Sequence, residues 1–433
     1  MKVYKITAHN FKGFDERTFE LSDPFTLIIG DNGKGKTAIL DALAIGLSDL
    51  LSGFHEEGSF RNITNDDVRQ QKYQQGETPD IQPQYPASVT WEGVFEGQDI
   101  VWTQSVTGRN RPPKDKNIEN LSKQLREKAD NGENIRLPLV AYYGTDRLWI
   151  PNPKKSDSPG VSASRIQGYL NCLHPDANVK KLIQWLKQET EKSLKSGQES
   201  DLFLVVKNAI YDCMKEEDWN DISYVFGEAG QGDVLAKAKD GRLLPLRMLS
   251  DGVRNVLAMV ADIAYRAAML NPHFGRDAAK KTSGIVLIDE IDLHLHPSWQ
   301  RHIVEDLHRT FPEIQFIATT HSPFIVQSLR KGKLLNLEDP QETSEYYDQS
   351  IEDITENVMG VELPQKSERF LKMKAAAKEY YAVLEESQDA SPERKEQLKI
   401  KLDELEMPYS DNPAYHAYLE IKREAVGMSE EQE

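Results

Sequence analysis

The chain has 433 residues, enough for two or three packed regions around a substantial buried core. Hydrophobic residues make up 39% of it and charged residues 28%, a balance typical of a folded protein in water. The formal net charge of −17 argues against a surface devoted to nucleic acid, because phosphate binding depends on clustered lysine and arginine.

Export, membrane insertion and disulfide chemistry are not expected. We expect no apolar run that approaches the ~20 residues of a membrane helix, and the opening "MKVYKITAHN" lacks an apolar secretory segment. Cys172 and Cys213 lie far apart without a Cys/His ligand pattern, which predicts reduced, buried thiols. The sequence therefore predicts a cytoplasmic protein without a membrane partner.

The first part of the chain predicts strand, turn and helix in order. "KVYKITAHNF" and "TFELSDPFTLIIG" predict two strands, and "KTAILDALAIGLSDLLSGF" has the apolar spacing of a helix that ends near Gly53. Residues 54 to 80 are polar and turn-rich, after which "ASVTWEGVFEGQDIVWTQSV" predicts further strands.

The rest of the chain alternates between predicted strands and helices. "IRLPLVAYYGTDRLWI" predicts a buried strand, and residues from about 160 to 220 are mostly helical. Past residue 365, two charged helices joined at Ser391 and Pro392 predict a helical hairpin, and a last helix starts at Asp411 to Pro413.

Residues 107 to 128 form the most basic stretch of this acidic chain. Contact with DNA and an ordinary solvated face both explain it, and the sequence leaves the two interpretations open. Its cations are Arg109, Arg111, Lys114, Lys116, Lys123, Arg126 and Lys128.

The stretch "GDNGKGKT" fits the pattern G-x-x-x-x-G-K-S/T between a predicted strand and a predicted helix. Glycines allow successive backbone N–H groups to face one anion at a helix N-terminus. The ammonium of Lys36 is placed to reach the β- and γ-phosphates of a nucleotide, and the hydroxyl of Thr37 to ligate Mg²⁺. The predicted nucleotide-binding residues are Gly30, Asp31, Asn32, Gly33, Lys34, Gly35, Lys36, Thr37 and Ala38.

An acidic pair follows a second apolar run. Ile285 to Ile288 predict a buried parallel strand that delivers Asp289 and Glu290 at its carboxyl end. We expect Asp289 to hold Mg²⁺ through its water shell and Glu290 to polarise the attacking water.

Two further segments predict contacts to phosphate. A strand from Ile314 to Thr320 ends at His321, whose imidazole can hydrogen-bond a γ-phosphate. In "LSDG", Ser250 and the N–H of Gly252 precede a long apolar helix and form a second anion site, although a helix cap also explains them. His294 and His296 lack further ligands at suitable spacing, so no metal site is assigned to them.

Taken together, these motifs resemble the Walker A, signature, Walker B and switch-histidine motifs of ABC-type ATPases. The branch resembles the RecF/SMC/OLD-like group, whose opening strand is similar to "KITAHNFKGF". The resemblance implies an α/β P-loop head at 1–335 with a mixed sheet and a helical insertion at about 110–220. A helical extension that docks a partner follows at 336–433.

The same resemblance implies roles for individual residues. Two heads dimerise face to face, and the signature residues Ser250, Asp251 and Gly252 of one head grip the ATP of the other. Lys36, Glu290 and His321 are then catalytic, Thr37 and Asp289 bind the metal, and residues 292–296 form the D-loop. The chain departs from the family where Lys34 replaces Ser or Ala and Asp251 replaces a glycine-like residue. The segment "AYYGTDR" falls in the region of the Q-loop.

The helical tail resembles the ATPase subunits of Septu-type antiphage systems, the PtuA-like proteins, in which a separate HNH nuclease cuts. No D-x-D pair follows Asp292, and the chain has neither an HNH nor an R-x₄-H pattern, so we expect no nuclease activity of its own. The favoured hypothesis is an ATPase that controls an HNH nuclease, with nucleic acid bound through the complex. A RecF-like clamp that binds DNA directly and a scaffold that does not hydrolyse ATP are the alternatives.

Overall fold

The computed structural model describes residues 1–54, 61–75, 78–108, 115–145, 164–174, 179–216, 219–226, 232–338, 346–361, 366–388, 390–409 and 411–425. The chain divides into two compact units, Met1–Ile354 and Thr355–Glu433.

The described strands of the first unit fall into four sheets. In chain order they are β1 (Lys2–Phe11), β2 (Phe14–Glu20), β3 (Phe25–Ile29), β4 (Gln70–Gln75), β5 (Thr78–Pro83), β6 (Ala87–Phe95), β7 (Gln98–Val106), β8 (Leu139–Tyr143), β9 (Trp219–Phe226), β10 (Gly232–Ala238), β11 (Leu243–Pro245), β12 (Gly284–Ile288), β13 (Ile314–Thr319) and β14 (Lys333–Asn336). The sheets are β14-β3-β13-β12-β8, β2-β1-β6-β7, β11-β10-β9 and β4-β5.

The central sheet is parallel throughout, and every residue of β3, β8, β12 and β13 is buried. A parallel sheet covered on both faces requires such continuous apolar strands. Because all five strands point the same way, the segments that follow them meet at one edge of the sheet, which is where open α/β sheets bind ligands.

The single strand predicted over "TFELSDPFTLIIG" is two strands in different sheets. β2 pairs antiparallel with β1, whereas β3 pairs parallel with β13 and β14. The chain turns between them at Ser22, whose N–H donates to Oγ1 of Thr26 at 2.9 Å. Pro24 has no N–H to continue a ladder, which explains the break. The segment at 54 to 80, predicted as turns, contains the hairpin strand β4 and the start of β5.

The helices are α1 (Lys36–Leu51), α2 (Lys116–Asp130), α3 (Val179–Ser196), α4 (Asp201–Cys213), α5 (Asp251–Leu270), α6 (Ala278–Lys281), α7 (Pro297–Gln300), α8 (Ile303–Thr310), α9 (Pro323–Ser328), α10 (Ile351–Asp353), α11 (Glu368–Gln388), α12 (Pro392–Glu406) and α13 (Pro413–Ala425). The predicted insertion at 110–220 includes the helices α2, α3 and α4 and the start of β9. It also includes β8, which belongs to the central sheet.

Helix α1 corrects one expectation about apolar runs. Together with the turn after it, α1 gives a 19-residue segment, Lys36–Phe54, that is long and apolar enough to cross a membrane. The segment is 94% buried inside the protein. The indole N–H groups of Trp91 and Trp102 donate to the carbonyl oxygens of Ala42 and Gly46 at 3.1 and 3.2 Å. Its apolar character therefore reflects burial inside the protein, on one side against the antiparallel sheet.

The second unit is a helical hairpin with a third helix, as the sequence predicted for its first two helices. α12 begins at Pro392, and the side chain of Ser391 caps it by accepting from the N–H of Arg394. Its small core is formed by Tyr380, Val383, Leu384, Leu398, Leu402 and Leu419.

Candidate functional site

The glycine turn between β3 and α1 has the backbone of a phosphate loop. Gly30, Gly33 and Gly35 have φ values of 146°, 82° and 98°, a region that side-chain-bearing residues rarely adopt. Gly35 is the N-cap of α1. A methyl group on Gly35 would also lie 2.5 Å from the ring of Phe14, so only glycine fits there. The turn thus places backbone N–H groups at the positive end of a buried helix.

Lys36 is folded back over this turn. Its ammonium donates to the carbonyl oxygens of Gly30 at 2.6 Å and Asp31 at 3.1 Å, and the residue is buried. Burial lowers the pKa of Lys36, and the negative charges of Asp289 and Glu290 oppose that shift. A buried ammonium held by neutral backbone carbonyl groups is well suited to receive an anion.

The acidic pair lies beside the turn, held by hydroxyl groups. The carboxylate of Asp289 accepts from Oγ1 of Thr37 at 3.0 Å and from Oγ1 of Thr319 at 2.6 Å. The hydroxyl of Thr319 in turn accepts from the N–H of Glu290 at 2.7 Å. Asp289 is buried, and its N–H donates to the carbonyl oxygen of Tyr143 at 2.8 Å. Neighbouring strands therefore fix both acids at one edge of the sheet.

A cavity of about 540 Å³ opens at this edge. It brings together most of the predicted Walker-type residues and His321. Its lining residues are Lys12, Gly13, Phe14, Arg17, Asn32, Gly33, Lys34, Gly35, Lys36, Thr37, Ala38, Asp289, Glu290 and His321.

Sequence reasoning missed one wall of this cavity. Lys12, Phe14 and Arg17 come from the β1–β2 hairpin, which belongs to the antiparallel sheet. Lys12 pairs with Asp41 on α1, and it has a positive φ of 50°. The sequence "KGFDER" indicates a tight turn, but nothing in it predicts that the hairpin folds over the phosphate loop. Thr319 was likewise missed as the residue that joins Asp289 to Glu290.

His321 follows β13, as predicted, and the loop that carries it is attached to residues after β12. The carboxylate of Asp292 accepts from Oγ1 of Thr320 at 2.6 Å and from the N–H of His321 at 3.3 Å. A hydrogen bond to a carboxylate therefore fixes the backbone of His321, whose imidazole lies at the cavity.

The signature-like segment lies elsewhere. Among the described residues, Ser250, Asp251 and Gly252 are not part of the cavity lining. Ser250 is exposed at the N-cap of α5 without a side-chain capping bond, and Asp251 forms an ion pair with Arg254. A methyl group on Gly252 would lie 2.3 Å from the carbonyl oxygen of His294, so the start of α5 is packed directly against the loop after β12.

Two of the four described cations of the basic stretch, Lys123 and Arg126, make contacts within the chain. Arg109, Arg111 and Lys114 lie outside the described residues, as do Asp146 and Arg147 of the "AYYGTDR" segment. Within α2, Lys123 pairs with Glu119 at 2.7 Å, and Arg126 donates to the carbonyl oxygen of Phe54 at 2.6 Å. These contacts favour the interpretation of α2 as part of the folded surface.

The residues at the cavity fit Mg²⁺. The metal prefers oxygen ligands and is commonly held by one or two protein groups together with substrate phosphates. A carboxylate and a hydroxyl 3.0 Å apart, Asp289 and Thr37, supply such a donor set. No cluster of three or more His, Cys, Asp or Glu side chains suited to a metal occurs in the described part of the chain, so an all-protein cage is not offered here.

Comparisons with known proteins agree with this geometry. The family described as "AAA domain" matches residues 5–203, and the family described as "AAA ATPase domain" matches residues 162–326. The Retron Ec83 probable ATPase of Escherichia coli is 26% identical over 79% of this chain and 72% of its own length. The Septu protein PtuA of Bacillus mycoides is 28% identical over 81% of this chain, which covers only 42% of that protein.

A more distant likeness exists to the SMC head domain of Thermotoga maritima. It covers 76% of this chain and 92% of that domain at 14% identity, with a TM-score of 0.39, which is too low to support an inference by itself. The resemblance to Septu ATPase subunits that was inferred from the helical tail is confirmed by the PtuA match. The α/β fold with a P-loop and a helical extension is confirmed as well. The chain is an ATPase that carries AAA-type ATPase sequence at residues 5–203 and 162–326, and it is similar to the Septu PtuA proteins and to the retron ATPases.

Proposed function

We propose that the chain binds ATP with Mg²⁺ in the cavity at the carboxyl edge of the central sheet and hydrolyses it there. The observation that carries this proposal is the hydrogen-bonded series Thr37, Asp289, Thr319 and Glu290 beside the glycine turn. It sets a metal-binding pair next to an acid that stands in the same cavity as the buried Lys36.

Each residue has a defined task in this proposal. The N–H groups of the turn and the ammonium of Lys36 bind and orient the phosphates. Thr37 and Asp289 hold Mg²⁺, which neutralises phosphate charge when bound. Glu290 accepts a hydrogen bond from the attacking water and removes its proton, while His321 donates to the terminal phosphate.

Hydrolysis by the purified protein tests the site. Glu290→Gln is expected to keep nucleotide affinity but to lower turnover by about 10² to 10⁴, the usual contribution of a general base. Lys36→Ala is expected to lose most of the affinity for the ATP analogue AMP-PNP, measured by calorimetry. Lys333→Ala is the matched control, because that lysine pairs with Glu20 outside the cavity lining. Unchanged affinity in Lys36→Ala would place the nucleotide elsewhere.

We further propose that two copies close around the nucleotide, with Ser250 and Gly252 of each copy facing the cavity of the other. Ser250 is exposed at the N-terminus of α5, where the helix dipole favours an anion, and it does not line its own chain's cavity. Light scattering should show an ATP-dependent dimer of Glu290→Gln. The double variant Glu290→Gln, Ser250→Arg should stay monomeric when ATP is added. An ATP-dependent dimer of this double variant would contradict the proposed contact between the two copies.

The likeness to Septu PtuA supports a role in antiphage defence, in which the chain assembles with a separate HNH nuclease and controls it. We propose that residues 336–433 dock that partner. Tyr418 and Ile421 on α13 are exposed by 53% and 62%, and such apolar side chains commonly anchor interfaces.

The neighbouring reading frame is expected to encode an HNH protein, and copurification of that protein with this chain tests the partner. The double variant Tyr418→Glu, Ile421→Glu is expected to lose the complex. Ile400→Glu on α12 is the matched control, since Ile400 is equally exposed at 57% but lies on another helix. Retention of the nuclease by the α13 variant would exclude this face, and the absence of any complex with wild type would exclude the partner.

A further inference from the structure

Lys34 and Glu338 form an ion pair at the phosphate loop. Nζ of Lys34 lies 3.3 Å from Oε1 of Glu338. Lys34 stands between two glycines of positive φ, Gly33 and Gly35, and all three line the cavity. The pair therefore brings a carboxylate against the turn that is proposed to receive phosphate.

The chain around Glu338 fixes its position. We call Leu337 and Glu338, which directly follow β14, the strap. The N–H of Leu337 donates to the carbonyl oxygen of Ile29 at 3.1 Å, and Arg17 donates to the carbonyl oxygen of Leu337 at 2.7 Å. A methyl group on Gly30 would lie 3.2 Å from the side chain of Leu337. Contacts with the phosphate-loop strand and with the β1–β2 hairpin thus hold the strap beside the loop.

The two lysines of the loop are in different surroundings. Lys36 is buried and bonded to backbone carbonyl oxygens, whereas the side chain of Lys34 is 53% exposed and its ammonium lies against an acid. The carboxylate of Glu338 therefore engages the exposed lysine of the loop and not the buried one.

We propose that Glu338 competes with nucleotide phosphate for Lys34, so that the strap sets the affinity of the site. The inference rests on the proposed function of the cavity as an ATP site. An exposed lysine–carboxylate pair is weak. A nucleotide phosphate carries more negative charge than a carboxylate, so the charge-assisted hydrogen bond that Lys34 donates to it is stronger. When nucleotide binds, Lys34 leaves Glu338 and contacts a phosphate oxygen. The free energy of the Lys34–Glu338 contact is therefore lost from the free energy of nucleotide binding.

Binding of Mg²⁺ and AMP-PNP to the full chain, measured by calorimetry, tests the competition. Glu338→Gln keeps the size of the side chain but removes its charge, and it should tighten binding about two- to five-fold. In a Lys34→Ser background the same change should alter affinity by less than about 1.5-fold, because the competing pair no longer exists. The gain should also shrink when salt is raised from about 0.1 to 1 M.

Glu20→Gln is the matched control. Glu20 pairs with Lys333 of β14 at 3.1 Å, a similar exposed pair that is not part of the cavity lining, and its loss should leave affinity unchanged. Equal or weaker binding by Glu338→Gln would overturn the competition while leaving the nucleotide site intact. An equal gain in the Lys34→Ser background would also overturn it, because Glu338 would then repel phosphate directly. Failure of wild type to bind AMP-PNP would overturn both proposals.

Discussion

Thr319 gives the sharpest test of how the acidic pair is held. Its hydroxyl donates to Asp289 at 2.6 Å and accepts from the N–H of Glu290 at 2.7 Å, and the residue is fully buried. Thr319→Val keeps the shape but removes both bonds. A buried polar group that loses its partner costs about 1 to 3 kcal/mol, so two of them predict a loss of about 2 to 6 kcal/mol in unfolding free energy.

The same change should disturb the proposed Mg²⁺ site in a way that a loss of stability alone does not. Loss of a hydrogen bond that orients a metal-binding group typically lowers metal affinity or activity by about 10- to 100-fold. We therefore expect Thr319→Val to need more Mg²⁺ for half-maximal ATP turnover, and Thr319→Ser, which keeps the hydroxyl, to restore it. Urea unfolding and Mg²⁺ titration of turnover measure the two effects separately.

Thr26 provides the control for this test. It is a fully buried threonine at the start of β3, whose hydroxyl accepts from the N–H of Ser22 at 2.9 Å. Thr26→Val should lose stability without changing the Mg²⁺ dependence. If Thr319→Val lost stability in the same way and showed the Mg²⁺ dependence of wild type, Thr319 would be a structural residue only, and our account of the acidic pair would be refuted.

Two stability predictions follow from the helix α5. Asp262→Ala leaves the guanidinium of Arg266 buried without the carboxylate that accepts from it at 2.7 Å, and should lower the unfolding free energy by about 3 kcal/mol in a urea titration; recovery in the double variant with Arg266→Met would support this cause. Gly252→Ala places a methyl group against the carbonyl oxygen of His294 and should cost about 1 to 3 kcal/mol. Gly108→Ala, with nothing within 4 Å of the added carbon, should cost far less, and equal losses would contradict the steric reason.

The sequence predicted the parts of the site that local geometry determines. A glycine turn between a strand and a helix needs residues of a particular type in order, so Gly30 to Thr37 could be recognised without a structure. The apolar run before Asp289 could be recognised for the same reason, since a strand buried on both faces leaves no alternation.

Contacts between distant segments could not be predicted in this way. The side chain of Arg17 reaches the carbonyl oxygen of Leu337 across 320 residues of chain, and Thr319 reaches Asp289 from the neighbouring strand. Residue type alone does not distinguish Arg17 from any other surface arginine, or Thr319 from any other threonine in a strand. Their roles arise from the order of strands in the sheet, which depends on long-range pairing and not on the residues beside them.

Helix α5 is joined to the acidic edge at two levels. Gly252 is packed against the loop after β12, and Asp262 accepts from the hydroxyl of Tyr143 at 2.7 Å, while the carbonyl oxygen of Tyr143 accepts from the N–H of Asp289. The exposed N-terminus of the helix and the carboxylates are thus connected by close packing and by hydrogen bonds. Linkage between two binding sites is reciprocal. If a ligand at the carboxylates changes the affinity of the helix N-terminus for a second molecule, that molecule must change the affinity for the ligand by the same factor.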